Sequence, residues 1–199
     1  MSAESILGKG RVCFYGKRVI GFVRFVGLMN AAVWFGAAVF FTVGAGPALF
    51  SQDMKHLLGE NHYPYFSGAI AQVIIARYFD LQLVCGIVAL LHAAVEWLYL
   101  GRPLQKFTLG LLLGLLFFSF VGGYGMQPKI KELHTRKYAL NYAPEVRQSA
   151  ARSLRVWHGM AQIVNVLMLG GLAVYLWRAA NPVSTSRFVS GRISDLSNR

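Results

Sequence analysis

Four long apolar runs leave this chain few folds to choose from. They lie near residues 20–45, 70–100 and 104–126, with the last closing at Trp177. A helix of about 20 apolar residues crosses the hydrocarbon of a bilayer. A soluble domain carries charge on about a quarter of its residues. Here 14% are charged and 55% are hydrophobic, and the deficit is concentrated in the four runs. The expected fold is therefore all-α: a polytopic membrane protein, a four-transmembrane-helix bundle over residues 19–180. A basic segment, 1–18, precedes it and a disordered basic tail, 181–199, follows it.

The formal charge of +12 comes from 20 Lys and Arg against 8 Asp and Glu. The basic residues sit at the ends and in the connections, beside the apolar runs. That placement suits a lipid bilayer with anionic head groups, not nucleic acid. Cys13 lies in the basic segment and Cys85 inside an apolar run, and their spacing matches no metal motif or disulfide framework. The first apolar run is too long for a signal-peptide core and carries Arg24 and Asn30, so it reads as a retained span.

Taken in order, the first run ends at Gly46-Pro47, which should stop or kink its helix. Ser51 is the candidate cap of a short helix through Leu58, broken by Gly59. Tyr63-Pro-Tyr-Phe66 places aromatics at a membrane interface before the second span. Gly101-Arg-Pro103 makes a tight turn. Pro128 should stop or bend the third span, leaving 128–155 as a long basic connection. Gly36, Gly110 and Gly114 are small surfaces on which another helix can pack. From Pro144 nothing breaks the helical pattern until Asn181-Pro182. That makes a fourth helix about 55 Å long, whose first third protrudes into water on the cytosol or lumen side, or lies on the head groups. Of the 20 Lys and Arg, 11 fall on the side of the termini and 9 on the other, so the charge rule favours cytoplasmic termini only through the long connections.

Polar residues inside the runs are the candidate site. His158, Gln162 and Asn165 stand at i, i+4 and i+7 where the last run begins, one polar stripe on a helix. Arg77, Asp80, His92 and Glu96 fall within half the circumference of the second helix. Alternating spans put Arg77 and Asp80 in one layer with His158 and Gln162. The same alternation puts Arg24, Asn30, His92 and Glu96 in a second layer. An Arg24–Glu96 ion pair is expected there, as a structural register, a gate or proton relay, or a snorkelled pair. Haem or metal at His158 or His92 is an open alternative. One haem held axially by both histidines is not, because they lie roughly 15–20 Å apart along the membrane normal. No phosphate loop and no nucleophile–base arrangement is present.

Several short motifs occur in a fixed order: Trp34-Phe-Gly-Ala-Ala-Val-Phe40, Gly46-Pro-Ala-Leu-Phe50, Tyr63-Pro-Tyr-Phe66, Gln127-Pro-Lys-Ile130 and His158-Gly through Asn165. In these the chain resembles the transmembrane protein 205-like family, over roughly residues 28–178. The resemblance implies a four-helix integral membrane protein with no settled reaction, and transport or stress resistance as the expected role. In layout alone the chain is similar to copper-resistance D proteins and haem-containing bacterial protoporphyrinogen oxidases, which carries metal or haem redox chemistry as the alternative. The sequence leads to a transport, stress-resistance or accessory membrane component with a buried polar seam, not an enzyme. A membrane protein partner or a homo-oligomer is expected.

Overall fold

Backbone in hydrocarbon has no water to bond, and a helix satisfies its own N–H and C=O groups. The computed structural model describes residues 4–100 and 105–181, and of 4–18 and Leu100 it describes the backbone alone. α1 runs Glu4–Val39 and passes through a π-helical segment, Phe40–Ala45, into α2, Gly46–Leu49. The short α3, Gln52–Leu58, leads to α4, Tyr63–Leu100. α5, Lys106–Phe120, passes through a second π-helical segment, Val121–Met126, into α6, Gln127–Tyr138. α7 runs Pro144–Ala180. Four segments are long and apolar enough to cross a membrane: Val19–Leu49, Tyr63–Tyr99, Lys106–Tyr138 and Pro144–Ala180. The protein is an all-α, multi-pass membrane bundle. The turn at 101–103 and the tail at 182–199 lie outside the described residues. The backbone of most of the basic 1–18 segment is helical, continuous with the first span.

The local punctuation follows the residues. Ser51 caps α3, its Oγ accepting from the Met54 N–H at 3.2 Å. Gly59 ends that helix at a φ of 74°, which a side chain would resist. Pro144 opens α7 within its first turn. The fourth helix has the expected length.

Pro128 does not stop the third span, which runs on to Tyr138. Each π-helical segment ends just before a helix with proline in its first turn, at Pro47 and at Pro128. A proline has no N–H to give to the fourth residue before it, and its ring crowds that carbonyl. The wider π turn changes the bonding register just ahead of it, so the helix runs on. Residues 128–155 are therefore not a connection. α6 extends the third span to Tyr138, the turn is 139–143, and the first third of α7 packs against α6.

Packing joins α1 to α4 and α7, and α5 to α4 and α7, a closed ring of four. Trp34, Leu112 and Leu172 are fully buried at its centre. The close approaches are not at the glycines expected. A Cβ at Gly36, Gly110 or Gly114 would meet no neighbour within 4 Å. A Cβ at Gly27 would strike the His92 ring, at Gly68 the His134 ring, and at Gly86 both Leu116 and Trp34. Small residues mark contact only where the fold turns them inward, and the spacing of Gly110 and Gly114 does not say which way they face.

Candidate functional site

α1 and α4 meet along matching stripes. On α4, Tyr78, Gln82, Cys85, Ala89 and His92 succeed one another at steps of four and three, so they line one face. Three polar contacts cross this interface. His92 Nε2 lies 2.9 Å from the Val23 carbonyl of α1. One level further, Asn30 donates from Nδ2 to the Cys85 carbonyl at 2.9 Å. Trp34 then donates from its indole N–H to the Gln82 side-chain oxygen. Trp34 is 0% and Gln82 1% exposed.

α7 joins at the next level. The Tyr78 hydroxyl donates to Asn165 Oδ1 at 3.5 Å, a long bond. Asn165 donates from Nδ2 to Thr42 Oγ1 at 2.8 Å, and the Thr42 hydroxyl donates to the Ala38 carbonyl at 2.7 Å. The Phe41 ring stacks on Tyr78 with centroids 4.3 Å apart. The seam ties three helices together through uncharged groups. Its one loose end is Gln82 Nε2, a buried donor with no hydrogen-bond partner among the described residues.

The charged residues expected in the seam lie elsewhere. Arg77 and Asp80 pair with each other at 3.3 Å, as their spacing predicts, but with side chains 84% and 60% exposed. They occupy the outer side of α4, Arg77 about 100° and Asp80 about 160° around the helix from the inward Tyr78. His158 and Gln162 are exposed on α7 and face each other at 3.5 Å, not Arg77 or Asp80. Of that stripe only Asn165 turns inward. Arg24 is exposed. Glu96 is half-buried and has its own interactions. Asn30 and His92 are brought to the α1–α4 interface, in bonds to backbone.

The levels can be read as depths. His158 to Arg178 on α7 spans about 30 Å, the thickness of the hydrocarbon core, so these two mark opposite boundaries. Arg178 is anchored at its boundary by Thr108 Oγ1 at 3.2 Å, by Gln105, and by the face of Phe107. The Tyr78–Asn165 level lies about 10 Å inside the His158 boundary. His92 is about 20 Å further along α4, which separates the two histidines by about 30 Å, more than the sequence predicts.

Trp34, Thr42, Tyr78 and Gln82 are the residues that reading single polar side chains overlooks. The signal for them was the inward heptad on α4 that ends in His92. A further buried group, His134 of α6, stacks on Tyr65 with centroids 5.5 Å apart. It fastens the α6 extension to the Tyr63-Pro-Tyr-Phe66 motif. No group of three His, Cys, Asp or Glu placed to hold a metal occurs among the described residues. His92 Nε2 is committed to the Val23 carbonyl, and the ring packs on Gly27. His158 is accessible, with Gln162 as its polar neighbour.

A family model described as a domain of unknown function (DUF4149) matches residues 29–139, from the middle of α1 to the end of α6. The match takes in both helices of the Trp34–Gln82 contact and stops before α7. No curated protein and no solved structure matches the chain.

Proposed function

The chain belongs to the family of the domain of unknown function DUF4149, and on that footing we propose that it is an accessory component of a membrane transport or stress-resistance system, not the carrier of a reaction. The likeness to the transmembrane protein 205-like family supports the same role. The observation that carries the reading is the seam itself. Asn30, Trp34, Thr42, Tyr78 and Asn165 commit their polar groups to one another or to backbone across α1, α4 and α7. Such bonds set helix register. Arg77, Asp80 and His158 instead face outward, where other membrane components reach them.

Gentle-detergent purification from native membranes, followed by absorbance, metal analysis and mass spectrometry, tests this. The expected result is a colourless preparation that carries another membrane protein. A Soret band or stoichiometric metal that disappears in His158→Ala would replace the accessory reading with the redox one.

A further inference from the structure

Besides Gln82, two side chains hold a buried nitrogen with no hydrogen-bond partner among the described residues: His134 at Nε2 and Arg147 at Nε. Both belong to the α6–α7 hairpin. At 33 residues the third span is longer than the hydrocarbon core is thick. α6 folds back on α7 across the 139–143 turn, which sets His134 about level with Gln148. That is roughly 15 Å outside the His158 boundary, where water supplies protons.

His134 is 7% exposed. Its ring joins those of Tyr65 on α4 and Tyr138 on α6 in a cluster with centroids 5.0 to 5.7 Å apart. The Nε2 edge is turned to the Gly68 backbone of α4, where a Cβ would come within 2.3 Å of it. A nitrogen placed there without a partner is the bare one of a neutral ring, and Nδ1 carries the proton. A second proton has to go on Nε2, where it meets neither water nor an acceptor.

The groups around the ring do not compensate. α4 brings the Tyr65 phenol. On α6, Lys137 Nζ stands over the Tyr138 ring at 4.6 Å, and the one carboxylate, Glu132, is held by Lys129 at 3.0 Å and Arg136 at 2.6 Å. α7 brings the cationic Arg147 and an exposed Glu145, and the π-helical turn before α6 brings only the exposed Tyr124. The tyrosine faces return part of the cost of a cation, but not its hydration. The ring therefore charges more readily once α6 has left α4. A proton taken up on opening favours the open form in acid, and the closed form above the ordinary histidine range near about 6.5. We propose that His134 is an acid-released latch: neutral, it holds α6 on Gly68 and Tyr65 at the start of α4, and protonated, it lets α6 part from α4. The latch stands whether or not the accessory role does.

Hydrogen exchange of the full chain in lipid nanodiscs, between pH 7.5 and 5 and corrected for intrinsic rates, tests it. In the wild type, residues 63–70 and 127–138 should lose protection in acid by up to about tenfold per pH unit, the slope of one proton. The seam over residues 78–92 should keep its protection. His134→Phe retains a stacked ring that cannot charge, and its protection should not change with pH. His56→Gln, His62→Gln and His158→Gln remove exposed histidines and should respond as the wild type does. No acid response in the wild type, a seam that opens together with α6, an acid response that survives in His134→Phe, or one abolished by any of the other three substitutions would overturn the proposal. The first two outcomes are read on the wild type, so they decide even if His134→Phe fails to fold.

Discussion

At the scale of single residues, the seam is a set of neutral donors and acceptors whose value depends on pairing. Trp34 and Gln82 show this most clearly. Replacing Trp34 by Phe removes the donor to the Gln82 oxygen, in a place where no water substitutes. The amide then has neither end bonded, and the loss should be about 1–3 kcal/mol, in addition to the packing around the smaller ring. Adding Gln82→Met takes away the stranded amide and should recover part of that stability. Thermal unfolding in detergent, followed by circular dichroism, reads both changes. If the double variant unfolds below Trp34→Phe, the hydrogen bond is not what Gln82 contributes.

At the scale of elements, the π-helical segments decide where helices touch. In the second of them, a Cβ at Gly122 would run into the Phe79 ring of α4, whereas at Gly125 it would meet only Val121 of its own turn, at 3.9 Å. The two glycines should therefore respond with opposite sign. Gly122→Ala overpacks the α4 contact and should destabilise by about 1–3 kcal/mol. Gly125→Ala is outside that contact and should stabilise by roughly 0.4–1 kcal/mol, because the unfolded chain loses freedom. Equal effects in thermal unfolding would mean that the segment relaxes to an ordinary α register and lifts Gly122 off Phe79. The same logic explains why Pro128 misleads a reader of the sequence. A proline predicts a break when the helix before it is assumed to be regular, and Val121–Met126 is not.

At the scale of the whole molecule, α6 and the first third of α7 form a basic hairpin beyond the membrane-crossing part. Lys131 and Arg152 are exposed on it, and Arg178 is anchored at the opposite boundary. Cysteines at Lys131 and Arg152 should react together with a membrane-impermeant maleimide from one side of sealed vesicles, and a cysteine at Gln105 only from the other. Labelling of Lys131 and Gln105 from the same side would contradict the four-pass topology. The side that labels Lys131 also fixes where the termini lie, which the near-balance of basic residues leaves open.

The sequence by itself determined the class, the number of spans, the Ser51 cap and the start of α7 at Pro144. These depend on hydropathy, on chain length and on local backbone chemistry, all of which are written along the chain. It also singled out Asn30, His92 and Asn165, because a polar group deep in an apolar run has to find a partner. Only the tertiary structure decided which partner and which side. A helix presents a new face every residue, so Arg77 and Tyr78 are neighbours in sequence and face about 100° apart in space. Which face turns inward is settled by all four helices packing at once, and that packing assigned the seam to Trp34, Gln82, Tyr78 and Thr42 and left Arg77 and Asp80 outside.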